Sequence, residues 1–109
     1  LTKLWSMALY ACVQLESIEF PNITSIDNLS LQGCSKLALV DIRNREVSKG
    51  VVTLSDANAF QNAGTQVSGG YKVVVPDELY DAWITATNWS NESIVGHIVK
   101  ASEYEDEVI

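Results

Sequence analysis

The sequence predicts an α/β fold: a short right-handed solenoid with a parallel β-sheet on one face and a C-terminal helical cap. Three observations support this prediction. Residues 1–22 align without a gap on residues 23–44, apolar residues alternate near the end of each repeat, and a proline-initiated amphipathic segment follows the last apolar strand. A fixed period of roughly 20 to 29 residues with recurring leucines is typical of stacked coils, because each coil covers the apolar face of the next.

The repeat is specific in its residues as well as in its length. Five positions are identical in the two coils: Thr2/Thr24, Leu9/Leu31, Cys12/Cys34, Leu15/Leu37 and Asn22/Asn44. We therefore expect equivalent side chains to lie directly above each other, with Cys12 on Cys34 and Phe20 on Ile42.

Each coil contains one short segment with the alternation of a β-strand. Residues 16–20 and 38–42 are predicted to pair in parallel, with Ile18 and Val40 pointing inward. The segment 71–76 repeats the strand-then-proline ending, so a third strand is expected there. The regions before the cysteines are predicted to form helical turns or tight bends on the opposite side.

These features divide a single domain into four parts. Coils at 1–22 and 23–44 are followed by an irregular coil with insertions at 45–76 and a cap at 77–109. Four glycines lie between positions 50 and 70, which indicates an enlarged loop. Ala59-Phe60 occupies the place of Ala8-Leu9 and Ser30-Leu31 in the earlier coils.

The cap is predicted to begin with a helix at Pro76, since proline fits the first helical turn and acidic residues follow it. Trp89 is expected to pack against the open end of the sheet, and residues 94–99 to form a closing strand or turn. The expected buried face of the helix consists of Leu79, Ala82, Trp83 and Ala86.

Charge excludes two classes of partner. The formal net charge is −7, and residues 77–109 contain eight acidic side chains against Lys100 alone. Without a basic stripe, neither nucleic acid nor an anionic membrane surface is an expected partner. No apolar run is long enough for membrane insertion, and no signal peptide is present in this stretch. Because the chain begins inside a coil, we expect it to be the end of a longer array.

Side chains capable of chemistry are few. Cys12 and Cys34 are interpreted as free, buried thiols, because ladder side chains point the same way and form disulfides poorly. His97 is interpreted as a surface or cap histidine, and no metal or cofactor site is predicted. Trp83 and Trp89 are expected to serve packing, although a carbohydrate-stacking role for the tryptophans is the alternative.

Adjacent carboxylates raise the question of catalysis. By register, Glu19 and Asp41 would be neighbours on adjacent strands, at about the 5 Å separation of a retaining glycosidase pair. Rows of acidic residues are ordinary on solenoid sheets, and no aromatic sugar platform accompanies these two. The sequence therefore predicts that the protein is not an enzyme.

These residues resemble the BspA-like leucine-rich repeat family, in which a coil contains a small residue before an aromatic, then Cys, Leu and strand apolar positions. The closing segment is also similar, with Val75-Pro76 leading to Thr87-Asn88-Trp89-Ser90. Leu9 and Leu31 replace the aromatic, and Arg43 replaces a proline. The resemblance implies a leucine-rich-repeat solenoid in a surface-exposed or secreted bacterial protein that acts in adhesion or ligand binding. It implies no catalytic residues.

The resulting hypothesis is a non-catalytic recognition module that binds a protein or glycan through its exposed sheet face. The rival interpretation is a structural spacer or cap of a surface fibre or phage-tail component. Self-association is expected through a leading edge that contains Leu1, Leu4, Trp5, Met7, Leu9 and Tyr10. The candidate ligand residues on the sheet face are Ser17, Glu19, Leu39, Asp41, Lys72 and Val74, with Arg43 at the border.

Overall fold

The computed structural model describes residues 3–108, and the side chains of residues 3–104. Within these bounds the chain is an α/β fold with parallel strands in two sheets, a few helices and no closed barrel. None of the helices in this described part of the chain is long and apolar enough to cross a bilayer. The strands are β1 (Lys3–Leu4), β2 (Ser17–Glu19), β3 (Ser25–Ile26), β4 (Leu39–Asp41), β5 (Thr53–Leu54), β6 (Lys72–Val75) and β7 (Ile98–Lys100). The α-helices are α1 (Tyr80–Ile84), α2 (Glu92–Val95) and α3 (Ala101–Val108), and 3₁₀-helices span Val47–Lys49, Ala57–Phe60 and Asp77–Leu79.

The larger sheet has the strand order β2-β4-β6-β7, with every neighbouring pair parallel. Ile18 pairs with Val40, and Val40 pairs with Val73. Val40 and Val73 are fully buried, whereas Ile18 in the edge strand is half-buried. The parallel pairing and the inward positions predicted from the repeat are confirmed.

A second parallel sheet, with the order β1-β3-β5, was not predicted. Leu4 pairs with Ile26, and Ile26 pairs with Leu54, so the buried apolar side chains again stack from coil to coil. The expectation of a sheet on one face only is therefore wrong. Each of these strands has two residues, which is too short for alternation to appear in a sequence pattern.

The bends between the sheets also stack. The Leu9 amide donates to the Ser30 carbonyl at 2.9 Å, and the Leu31 amide donates to the Ala59 carbonyl at 2.9 Å. These bonds confirm the predicted equivalence of Ala59-Phe60 with the earlier coils. Leu31 and Phe60 are buried, and Leu9 packs against the same core.

The third coil is longer than the first two because of its insertions. Ser17 pairs with Leu39, 22 residues later, whereas Leu39 pairs with Lys72, 33 residues later. One insertion forms the loop around Val47–Lys49, and the other contains Gly64. A β-carbon at Gly64 would lie 2.7 Å from the Tyr71 amide nitrogen, so the chain can pass this point only with glycine.

The cap follows the prediction in part. Trp83 and Trp89 are fully buried with their rings edge to face, centroids 5.5 Å apart. Leu79 is also buried, but Ala82 is exposed, so its predicted place on the buried face is wrong. The buried side follows the spacing of Leu79, Trp83 and Ala86, and Ala82 lies beyond its border.

The acidic C-terminal segment forms α3, which the sequence interpretation did not include. The Asp77 carboxylate accepts a 3.1 Å hydrogen bond from the Ser102 amide in the first turn of this helix. α3 lies beside β6 and β7. It therefore covers part of the sheet face that was predicted to be open.

Candidate functional site

One row of the predicted ligand residues is accessible on the outer face of the larger sheet. Ser17 pairs with Leu39, and Leu39 pairs with Lys72, so the three side chains lie side by side across β2, β4 and β6. Ser17 is exposed, and Leu39 and Lys72 are half-buried. This row combines a hydroxyl, an aliphatic side chain and an ammonium group.

The second row differs from the prediction. Glu19 pairs with Asp41, which pairs with Val74. Glu19 is exposed, but Asp41 is only 8% exposed and Val74 is fully buried. The prediction that all three lie on an open face is therefore wrong for Asp41 and Val74.

The causes of this burial are an ion pair and a helix. Asp41 Oδ1 accepts hydrogen bonds from Arg43 Nε at 2.9 Å and from the Arg43 amide at 3.2 Å. The Arg43 guanidinium lies 5.0 Å from the ring centroid of Tyr104 in α3. Val74 is buried without belonging to the main apolar core, as expected for a side chain on the sheet face that α3 covers.

The accessible part of the face thus contains five of the seven predicted residues. It extends from the β2 edge towards Lys72, with the half-buried Arg43 at its border, and its exposed carboxylate is that of Glu19. The members are Ser17, Glu19, Leu39, Arg43 and Lys72; we call this set the open sheet face.

A cavity of about 380 Å³ lies outside the open sheet face, where the Ala57–Phe60 turn approaches α2. Sequence reasoning assigned no role to its polar lining. In the sequence, the amides and hydroxyls of residues 58–66 indicate no more than a loop. The polar side chains of the lining are Asn58, Gln61, Asn62, Thr65, Tyr71, Ser93 and His97.

His97 occupies this cavity wall and is more constrained than a surface histidine. Its Nδ1 lies 2.8 Å from the Tyr71 carbonyl oxygen. A carbonyl only accepts, so Nδ1 carries the proton, and Nε2 of the neutral ring is an acceptor. The ring stacks on Tyr71 with centroids 4.0 Å apart and planes 13° apart. His97 thus lies half-buried within the cap segment, with a partner and a cavity that the sequence did not indicate.

The cysteines are free thiols. Cys34 is fully buried, and its Sγ donates to the Leu9 carbonyl at 3.1 Å, whereas Cys12 is half-buried. Burial raises the pKa of the Cys34 thiol above its ordinary value. This environment disfavours the thiolate that a nucleophile requires. Among the described residues, no group of three or more potential ligands could hold a metal ion.

Comparison with known proteins adds no relative to this description. No family model matches the chain. No curated protein and no solved structure matches it either. Its resemblance to BspA-like leucine-rich repeats therefore rests on the residues quoted above.

Proposed function

We propose that the chain is a non-catalytic recognition module of the BspA-like leucine-rich-repeat type, a right-handed solenoid whose open sheet face binds a protein or a glycan. The observation that carries this proposal is the register of Ser17, Leu39 and Lys72 across three parallel strands. Parallel registration fixes the spacing of these groups on a rigid sheet, so little conformational freedom is lost when a ligand binds.

The size and charge of the open sheet face indicate what kind of binding to expect. α3 lies beside β6 and β7, and the open sheet face is formed by five residues that extend from β2 across β4 to the start of β6. Such an area is well below the roughly 800 Å² per partner of a standard interface. We therefore expect weak, transient contact, with Glu19 and Lys72 selecting the orientation of the ligand.

Glycan and protein arrays probed with the labelled chain test this proposal. Glu19→Lys and Lys72→Glu should each weaken binding to any ligand found, because they reverse the charges on the face. Glu46→Lys is the matched control, since Glu46 is exposed outside the face. Equal binding by all three variants would reject the open sheet face as the site.

The cellular setting belongs to the same proposal. A secreted or surface-exposed bacterial protein would present this face to ligands outside the cell, as the resemblance implies. We expect no turnover of glycosides, because Asp41 is held in an ion pair with Arg43. Hydrolysis that is lost in Glu19→Gln would contradict this expectation.

A structural role is the second candidate, and the first coil supports it. Leu9, Cys12 and Leu15 are half-buried, whereas their equivalents one coil later are fully buried. Trp5 is 64% exposed near the same end. These side chains form an uncovered apolar end, which a spacer or cap in a surface fibre or phage-tail component would place against a neighbour. Array experiments without any ligand, together with concentration-dependent association, would favour this role.

A further inference from the structure

We propose that the cavity between the Ala57–Phe60 turn and α2 binds a neutral, polyhydroxylated ligand, namely a sugar residue. Different side chains form the cavity and the open sheet face, so this site is additional to the proposed function. The cavity volume of about 380 Å³ falls within the roughly 300 to 1,000 Å³ of small-molecule sites.

The lining selects against charged ligands. None of the described residues around the cavity is Asp, Glu, Lys or Arg. A phosphate, sulfate or carboxylate group would leave water there without an opposite charge to compensate it. Amides and hydroxyls instead offer both donors and acceptors, which is the pattern that a ring of hydroxyl groups requires. The side chains that offer them are Asn58, Gln61, Asn62, Thr65 and Ser93.

Two of these groups are already oriented by neighbours. Gln61 Oε1 accepts a hydrogen bond from Gln32 Nε2, so the Gln61 amide nitrogen keeps its two donors. Ser93 Oγ donates to Asn91 Oδ1 at 2.8 Å, so its lone pairs remain for acceptance. Orientation before binding lowers the entropy lost when a ligand is fixed.

An aromatic stack supplies the apolar part of the lining. The Tyr71 ring lies between Phe60, with centroids 5.1 Å apart, and His97, with centroids 4.0 Å apart. All three residues line the cavity. Because Nδ1 of His97 is committed to the Tyr71 carbonyl, the neutral ring can accept a ligand hydroxyl through Nε2. Apolar rings with a few fixed polar groups form the general pattern of a small-ligand site.

The test is an NMR titration of the ¹⁵N-labelled chain with glucose, galactose, mannose, N-acetylglucosamine, maltose and lactose. We expect saturable shifts of the Asn58, Gln61 and Asn62 side-chain amides with at least one sugar. Glucuronate and glucose 6-phosphate, tested alongside, should leave these signals unshifted. Asn44 is exposed outside the cavity and serves as the internal reference.

Variants assign the binding to the cavity. Gln61→Ala and His97→Phe should each weaken the affinity by about fivefold, the effect of losing one hydrogen bond. Asn44→Ala should leave it unchanged. Gln61 is exposed, so its substitution tests the site without disturbing the core, and backbone signals check that His97→Phe remains folded.

Absence of saturable shifts with every sugar would overturn the proposal, as would unchanged affinity in Gln61→Ala. Preferential binding of the charged probes would overturn its chemical class. Array ligands that bind through the open sheet face would be insensitive to Gln61→Ala, so failure of the cavity proposal and failure of the proposed function are separable.

Discussion

The Trp89 indole N–H donates a 2.7 Å hydrogen bond to the Val52 carbonyl, 37 residues earlier in the chain. The neighbouring Asn88 side chain donates to the Leu54 carbonyl, also at 2.7 Å. Both acceptors belong to the end of the smaller sheet, where β5 is the last strand. The two side chains thus replace the hydrogen bonds that a further strand would donate.

Loss of the Trp89 contact should destabilise the fold. Trp89→Phe removes the donor and part of a fully buried ring, and we expect the free energy of unfolding to fall by about 2 to 3 kcal/mol. Trp5→Phe, at an exposed tryptophan, should change it by less than about 0.5 kcal/mol. Urea unfolding monitored by circular dichroism measures both. Equal stability of the two variants would show that the cap does not close β5.

A second variant separates the hydrogen bond from the packing. Asn88 has a φ of 67°, in the left-handed region, which glycine adopts without strain. Asn88→Gly therefore removes the bond to Leu54 while the backbone conformation stays accessible. A decrease of about 1 kcal/mol is expected in the same unfolding measurement.

Arg45, at the start of the irregular third coil, is a structural centre that no sequence pattern indicates. It is 5% exposed and donates to the carbonyls of Gly50 and Ile23 at 2.6 Å and of Pro21 at 3.0 Å. Burial lowers the pKa of its guanidinium from the ordinary value. The side chain ties the inserted loop to the start of the second coil.

Replacement of Arg45 should cost more than replacement of an exposed cation. Arg45→Met leaves these carbonyls without their donor, so we expect a loss of about 2 to 4 kcal/mol. Arg45→Lys should lose less stability than Arg45→Met but remain below the unsubstituted protein, because one ammonium group cannot reach all the carbonyls that the guanidinium donors reach. Lys36→Met, at an exposed position, is the control. Thermal unfolding that ranks Arg45→Met with Lys36→Met would contradict this role.

One bend position is left-handed in all three coils. Ala11 has a φ of 56°, Gly33 of 77° and Asn62 of 63°. Alanine in this conformation is strained by roughly 1 to 2 kcal/mol. Relief of this strain is offset in part by the greater conformational entropy of glycine in the unfolded chain. Ala11→Gly should therefore stabilise the protein by up to about 1 kcal/mol.

Ala8→Gly is the matched control for this prediction. Ala8 is exposed in the same bend and is not among the residues with positive φ. Its replacement should lower stability slightly, because it relieves no strain while it adds freedom to the unfolded chain. Denaturation midpoints of the two variants should move in opposite directions, and a shared direction would refute the strain at Ala11.

Alkaline pH should destabilise the fold. Burial raises the pKa of the Cys34 thiol and of the Tyr71 phenol. Above the pKa of each group in the unfolded chain, the unfolded chain releases a proton that the folded chain retains. The contribution of that group to folding stability is therefore fully present below the unfolded pKa and is lost as the pH rises above it. Those unfolded values are about 8.5 for cysteine and about 10 for tyrosine.

Two variants assign the alkaline loss to these side chains. Cys34→Ala should remove the decrease in the free energy of unfolding that begins near pH 8.5. Tyr71→Phe should remove the further decrease that begins near pH 10. The Tyr71 hydroxyl is buried without a hydrogen-bond partner among the described residues, so Tyr71→Phe should also be neutral or stabilising at pH 7. Urea unfolding across this pH range gives the slopes, and wild-type slopes in both variants would disprove the assignment.

The uncovered N-terminal end should promote self-association. Trp5, Met7, Tyr10 and Val13 are all at least 47% exposed there. Of the other residues predicted for this edge, Leu9 is half-buried, Leu4 is buried, and Leu1 lies outside the described residues. Sedimentation should show association that increases with protein concentration. The double variant Trp5→Ser, Val13→Ser should associate less. A monomer at every concentration would exclude this contact.

The repeat was readable in sequence wherever both coils kept their length. Ile18, Val40 and the third strand can be aligned from sequence because parallel strands with alternating side chains leave a periodic apolar trace. The two-residue strands of the smaller sheet leave no such trace. The cavity was also missed, since its lining combines the third-coil bend with α2, two segments that no local pattern connects.

By itself, the sequence determined the 22-residue stacking of the first two coils, the third strand and the burial of Trp83 and Trp89. These depend on apolar spacing, which is local and repeats. Only the tertiary structure decided which outward-facing residues of the larger sheet stay accessible. Val74 and Asp41 lie at outward positions of their strands, as the alternation predicts. However, α3 packs on the side of Val74, and Arg43 pairs with Asp41, through contacts that the strand pattern does not encode. Accessibility depends on what packs above a residue as well as on its own strand position.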